Sequence, residues 1–171
     1  MGKVFERELK GILSANSDTL ERVTKTCNTE ERTGYRRIED KPFLVIRGAG
    51  SLGVDLVAIR EGISLPIEVK SSTSQVLRFS RSEKLAVQAQ EMVEDCRRAG
   101  LMPIYAFRHK GQRGDAWRMF TIEMGSVNGR LRFMYERLPK IEASKGGNLI
   151  MRWKDGMPLS KFIDYLVSIQ S

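Results

Sequence analysis

The spacing of apolar residues along the chain switches between helical and strand patterns, and it predicts the order of elements. Apolar positions recur at helical spacing from Val4 to Cys27, which predicts one amphipathic N-terminal helix. The polar stretch from Asn28 to Pro42 predicts a loop or short excursion. Short β-branched runs then predict a meander of three strands, at 43–47, 54–60 and 63–70.

The second half of the sequence repeats the order of a helix followed by strands. Ser80 or Ser82 would cap a helix that runs to about Ala99, because a serine oxygen accepts hydrogen bonds from first-turn N–H groups. The pattern then predicts two strands, a further short strand and an amphipathic helix, at 102–107, 116–122, 131–135 and 159–167.

The element order α-β-β-β-α-β-β indicates an α/β or α+β fold with a mixed sheet, and we expect the α/β class, with a central mixed five-stranded sheet flanked by helices. A chain of 171 residues is long enough to bury a core as a single domain. We expect the core to span about 1–122 and a C-terminal extension to span about 123–171.

Basic residues outnumber acidic ones, 29 to 21, and the net charge of +8 indicates a polyanionic partner. Six bases and one acid lie between Arg97 and Arg118. Charge alone does not distinguish DNA, RNA and an anionic membrane, and a basic protein without such a partner is the alternative.

Other compositional features narrow the class of protein. No apolar run approaches the roughly 18 residues that a membrane-spanning helix needs, and the first eight residues are too charged for a signal peptide. Cys27, Cys96 and one histidine do not make a standard zinc site. We therefore expect a protein of the reducing cytoplasm, with no membrane partner.

One group of residues has the character of a catalytic site. Asp55 lies in a predicted strand, and Glu68 and Lys70 lie on one face of the next strand. Two carboxylates a few ångströms apart repel each other unless a divalent cation such as Mg²⁺ lies between them. The Lys70 ammonium would hold or polarise an attacking water. A solvated strand face or a cross-strand ion pair is the alternative, but the apolar neighbours of these residues favour a site.

These residues resemble the core of the PD-(D/E)xK nuclease superfamily, which has the pattern Asp-(x)12-Glu-x-Lys. Within it, the chain most resembles the archaeal Holliday junction resolvases over about 2–13 and 43–122. Four segments carry the likeness: Gly2–Arg7, Arg47–Ser51, the Asp55/Glu68/Lys70 set, and Arg78–Glu83. Val54 stands in place of the proline of the superfamily's name.

The resemblance implies a restriction-endonuclease-like core and a Mg²⁺-dependent endonuclease, with Mn²⁺ as a substitute. Such an enzyme resolves four-way DNA junctions by symmetric phosphodiester hydrolysis as a homodimer. Metal-site residues would be Glu6, Asp55 and Glu68. Lys70 would orient the attacking water, and Ser51 would lie on a loop near the scissile strand. The candidates for DNA binding are Arg47, Arg81, Lys110 and Arg113.

The chain departs from compact resolvases in two places. The excursion over 28–42 lengthens the path from Glu6 to the first strand, so Glu8 is the nearest substitute, although it faces another side of the helix. The residues after Ile122 exceed what the core needs, and they would add a DNA arm, extend a dimer interface or cover a sheet edge.

Several alternatives stay open at this stage. Another repair-type or restriction-type nuclease of the superfamily, or a non-cleaving DNA-binding relative, would have the same fold. The apolar face of the last helix and the strand at 102–107 are candidate dimer surfaces, unless that helix covers its own core. Gln88 would either face the site or, as we expect, be a solvated helix residue.

Overall fold

The computed structural model describes residues 2–48, 53–80 and 84–170. Six helices are present in this part of the chain: α1 (Gly2–Leu13), α2 (Ser17–Thr24), α3 (Thr29–Arg36), α4 (Lys84–Ala99), α5 (Leu131–Arg137) and α6 (Leu159–Gln170). Its strands are β1 (Leu44–Arg47), β2 (Leu56–Arg60), β3 (Ile63–Ser72), β4 (Val76–Phe79), β5 (Ile104–His109), β6 (Trp117–Phe120), β7 (Glu142–Ala143), β8 (Leu149–Arg152) and β9 (Met157–Pro158). None of the described helices is long and apolar enough to cross a membrane.

A mixed sheet flanked by helices forms the centre of the fold, in the order β1-β2-β3-β5-β6-β9. β1, β2 and β3 are antiparallel, and β3 and β5 are parallel. The parallel pair needs a crossover connection, which contains α4. The predicted fold class and its five strands are therefore confirmed, and β9 adds a sixth strand beside β6.

The two faces of the sheet are covered by different helices. Arg108 of β5 contacts Phe5 and Glu8 of α1. On the opposite face, Pro66 of β3 shares an apolar groove with Met92 of α4. Because side chains alternate along a strand, Pro66, Glu68 and Lys70 all lie on the α4 face.

The prediction of a single N-terminal helix is wrong, because a break after Leu13 separates two helices, α1 and α2. Ala15 has a positive φ of 60°, and Asn16 caps α2 by accepting a hydrogen bond from the Thr19 N–H at 3.0 Å. The apolar spacing runs through this break, so only the cap chemistry marks it.

The stretch predicted as a loop over 28–42 contains α3 and a 3₁₀ turn. A capping box between Asn28 and Glu31 begins the helix. Its sequence carries few apolar residues, so periodicity does not reveal it. Tertiary packing fixes α3 instead: a Cβ on Gly34 would lie 2.6 Å from the Ser160 carbonyl oxygen of α6.

The secondary structure of the C-terminal extension differs from the prediction. Residues 131–135 belong to α5 rather than to a strand, since Leu131, Met134, Tyr135 and Leu138 are all buried at helical spacing. β4, β8 and β7 form a second sheet that the sequence analysis missed. The extension therefore supplies the strand partner of β4, because β8 pairs with β4, which belongs to the core segment.

Both surfaces considered for a dimer contact are interior. Met102 and the first four residues of β5 are buried. Leu159, Phe162, Ile163 and Leu166 of α6 are buried in the same core. The last helix therefore covers the core of its own domain, which was the alternative to an interface.

Candidate active site

Asp55 is fixed between β1 and β3 by its own backbone and side chain. Its carbonyl accepts a hydrogen bond from the Gly48 N–H at 2.8 Å, and its N–H donates to the Ile67 carbonyl at 3.2 Å. The Val69 N–H donates to Asp55 Oδ2 at 2.7 Å. The carboxylate is therefore held against β3 beside the predicted partner residues.

Glu68 and Lys70 lie two residues apart on β3 and form an ion pair. Lys70 Nζ donates to Glu68 Oε1 at 3.2 Å, and each side chain is only 16% exposed. The ammonium also lies 5.6 Å from the centre of the Phe79 ring on β4. The second oxygen, Glu68 Oε2, is buried and has no hydrogen-bond partner among the described residues.

The pKa values of both carboxylates are raised above their ordinary values. Burial raises the pKa of Glu68 to about 7; Lys70 opposes this shift, and the Asp55 charge adds to it. Burial also raises the pKa of Asp55, against the lowering effect of the Val69 hydrogen bond, and Glu6 adds to the rise. Each carboxylate is thus destabilised in its charged form by burial and by an acidic neighbour.

Glu6 reaches this region from α1, and Arg47 holds it there. Arg47 Nη2, at the end of β1, donates to Glu6 Oε2 at 3.0 Å. Glu8 points elsewhere: it accepts from Arg108 at 2.7 Å and from the Trp117 indole at 2.9 Å, and it is buried. Glu8 is therefore a structural residue and does not substitute for Glu6.

The donor set fits a small, hard cation held by few protein ligands. In the described parts of the chain, no group of three or more His, Cys, Asp and Glu side chains is placed to hold a metal ion together. Asp55 and Glu68 are two neighbouring carboxylates, and the Glu6 carboxylate is ion-paired with Arg47. Mg²⁺ is commonly bound through one or two carboxylates and several waters, and the unpartnered Glu68 Oε2 is a free oxygen ligand for it.

The basic segment between Arg97 and Arg118 is mostly paired internally. Arg97, Arg98, Arg108 and Arg118 form ion pairs with acidic residues. Lys110 lies 5.9 Å from the Phe5 ring, and its N–H donates to the Ser72 carbonyl at the end of β3. Arg113 is exposed. Lys110 and Arg113, the predicted DNA-binding residues of this segment, form no ion pair within the described parts of the chain.

Two predicted site residues, Ser51 and Arg81, lie outside the described residues. Two further residues, Gln88 and Tyr105, lie at the candidate site. The sequence analysis expected Gln88 to be solvated and did not single out Tyr105. Gln88 is half-buried and lines a small cavity with Glu68 and Lys70, so it is not a solvated helix residue. Tyr105 lines the same cavity. The only signal for it in the sequence is a lone tyrosine in the otherwise apolar predicted strand at 102–107.

Comparison with solved structures identifies the class of fold. The chain has the fold of a Holliday junction resolvase from a hyperthermophile, Archaeoglobus fulgidus Hjc, solved at 1.6 Å resolution. The TM-score is 0.52 with 21% sequence identity, and the alignment covers 95% of each chain. At this identity, the likeness concerns the fold alone.

Sequence comparison gives the family. The archaeal Holliday junction resolvase (Hjc) family matches residues 22–151, which is well over half of the chain, and the chain belongs to this family. No curated protein matches it in sequence. The matched range contains Asp55, Glu68 and Lys70 but not Glu6, so the place of Glu6 beside the site rests on the fold.

Proposed function

We propose that this chain is a Mg²⁺-dependent endonuclease that resolves four-way DNA junctions by paired, symmetric cuts. The observation that carries the proposal is the juxtaposition of Asp55 and Glu68 with the Lys70 ammonium on Glu68. Membership of the archaeal Holliday junction resolvase family supports the choice of substrate.

Asp55 and Glu68 would hold the divalent ion, with Glu6 as a third acidic residue from α1. Their oxygens suit Mg²⁺, and Mn²⁺ would substitute for it because it accepts the same ligands. When bound, the ion would stabilise the negative charge that develops on the phosphate. It would also offset the negative charge on Asp55 and Glu68, whose pKa values are raised first by burial and then by an acidic neighbour.

Lys70 would orient the attacking water. Its ion pair with Glu68 fixes the ammonium beside the acidic pair, and the Phe79 ring limits its movement. The water oxygen would form a bond to phosphorus and release one proton to solvent as the bond to the leaving oxygen breaks, and the leaving oxygen would take up a proton from solvent. A positioned group of this kind is worth about 10² to 10⁴ in rate.

Basic side chains around this end of the sheet would bind the DNA backbone. Arg47 lies beside Glu6, and Lys110 is held next to the end of β3, which carries Lys70. Arg113 and Arg81 are further candidates. Contacts of this kind read charge rather than sequence, so binding should weaken steeply with salt.

A homodimer would match the two-fold symmetry of a four-way junction, because it places two sites for two cuts. The described surface has an apolar patch on the edge of the sheet: Leu44 is 66% and Ile46 is 49% exposed on β1. They pair with Ile59 and Val57 of β2, which are half-buried. We define these four residues as the β1–β2 patch and propose it as the dimer contact.

A cleavage assay on labelled DNA tests the proposed activity. A four-way junction, a flap and a plain duplex are incubated with the protein in Mg²⁺ or in EDTA. We expect Mg²⁺-dependent paired cuts in the junction. Asp55→Asn should abolish them while DNA binding stays intact or tightens, and Asp155→Asn, at an exposed position, serves as the control.

The other outcomes identify the alternatives. Equal cleavage of all three substrates would indicate a repair-type or restriction-type nuclease. Junction binding without cleavage would indicate a non-cleaving relative. Normal turnover by Asp55→Asn would refute the assignment of the metal site.

A further inference from the structure

Tyr105 lies beside the proposed metal ligand Glu68 and has no part in the proposed cleavage reaction. It is paired in register with Glu68 across the parallel strands β3 and β5. The residue is only 2% exposed. Its hydroxyl has no hydrogen-bond partner among the described residues. A buried tyrosine hydroxyl usually has one, so this group calls for an explanation.

A small cavity connects Tyr105 to Glu68. Both residues line it, together with Gln88 of α4, and its volume is about 10 Å³. That is the least volume that holds one water molecule. Two residues that line the cavity therefore carry a buried oxygen with no hydrogen-bond partner among the described residues: the Tyr105 hydroxyl and Glu68 Oε2. One water would therefore reach two polar groups that otherwise lack partners.

We propose that Tyr105 is a positioning residue, which holds Glu68 through one water molecule in this cavity. The tyrosine hydroxyl donates to the water oxygen, and the water donates to Glu68 Oε2 and to the Gln88 side-chain oxygen. This network satisfies both buried groups and fixes the carboxylate plane of Glu68. The inference rests on the proposed function, in which Glu68 is a metal ligand.

The consequence concerns metal affinity, because hydrogen bonds behind a metal ligand fix its orientation. Loss of such an outer contact typically weakens metal binding or activity about 10-fold to 100-fold. Lys70 already holds Glu68 Oε1, so the tyrosine and its water would hold the other oxygen. A carboxylate oxygen has two lone pairs, so Glu68 Oε2 would accept from the water with one and face the metal with the other, and the carboxylate keeps one orientation.

Titration calorimetry with Mn²⁺ alone, on the full chain without DNA, tests the proposal. Tyr105→Phe should weaken Mn²⁺ binding about 10-fold relative to the unmodified protein. Its melting temperature in EDTA should fall only slightly, because the water keeps Glu68 and Gln88 as partners when the hydroxyl is removed. Tyr165→Phe, on α6, is the matched control and should bind Mn²⁺ normally.

The results separate this inference from the proposed function. Equal Mn²⁺ affinity for Tyr105→Phe and the unmodified protein would overturn the role of Tyr105 and leave the nuclease intact. An unmodified protein that neither binds Mn²⁺ nor cuts DNA would overturn both. A high-resolution crystal structure of the metal-free protein should show the water within hydrogen-bond distance of Tyr105 and Glu68, and its absence would also refute the inference.

Discussion

Asp115 joins the C-terminal extension to the rest of the domain, and replacing it with alanine should strongly destabilise the fold. Its side chain is fully buried. It accepts hydrogen bonds from the Tyr35 hydroxyl at 2.6 Å and from the Ser160 N–H at 2.9 Å. It also lies 3.8 Å from the Arg118 guanidinium, which is itself mostly buried.

The size of the effect follows from the groups that lose their acceptor. Asp115→Ala leaves the hydroxyl of Tyr35 and the N–H of Ser160 unpaired in the interior, at about 1–3 kcal/mol each. Arg118 loses its acidic neighbour but keeps its contact with the Trp153 ring at 3.8 Å. The free energy of unfolding should therefore fall by about 3–5 kcal/mol.

Urea unfolding followed by tryptophan fluorescence measures this loss, because both tryptophans are buried. Asp164→Ala is the matched control: Asp164 pairs with Arg37 on the surface and is 55% exposed, so its removal should cost about 0–1 kcal/mol. A loss below about 1 kcal/mol for Asp115→Ala would refute the reasoning, since the two variants would then be equivalent.

Three further predictions concern the site, the surface and the thiols. Lys70→Ala should slow junction cleavage at least about 10²-fold in a gel assay, and an unchanged rate would make Lys70 a structural ion-pair residue. Sedimentation should give about twice the chain mass of 19.5 kDa, and Leu44→Glu with Ile46→Glu should give a monomer. An unmodified protein that sediments as a monomer would contradict the patch assignment. Burial raises the pKa of Cys27 to about 12 and that of Cys96 to about 11, so both thiols should react slowly with a disulfide reagent until the protein unfolds. The unfolded chain releases these protons near pH 9 and the folded chain does not, so the free energy of unfolding should fall as the pH rises from about 9 to 11.

The sequence predicted the central sheet because its signals are local. The runs at β1, β2 and β3 are apolar and β-branched, and each reads as a strand without reference to the rest of the chain. β4, by contrast, has only four residues and pairs with β8, which lies some 70 residues further along. Its state depends on that distant partner, so local propensity does not predict it.

Some residues of the candidate site follow from local sequence patterns, and others depend on contacts between distant parts of the chain. Asp55, Glu68 and Lys70 were found from their spacing, since strand alternation places the last two on one face. Tyr105 and Gln88 join the site only through the parallel pairing of β3 with β5 and the packing of α4. Neither contact follows from the order of residues along the chain.

The packing of α3 against α6 has a consequence for how the chain folds as it is synthesised. α3 has only eight residues, and an isolated helix of that length is not stable in water. Its stabilising partners lie far downstream: Gly34 packs against the Ser160 carbonyl of α6, and the Tyr35 hydroxyl donates to Asp115. We therefore expect α3 to stay unformed on the ribosome while β1 to β6 emerge, and to dock after α6 has been released. Since such long-range contacts form slowly, this docking should be the late step in folding.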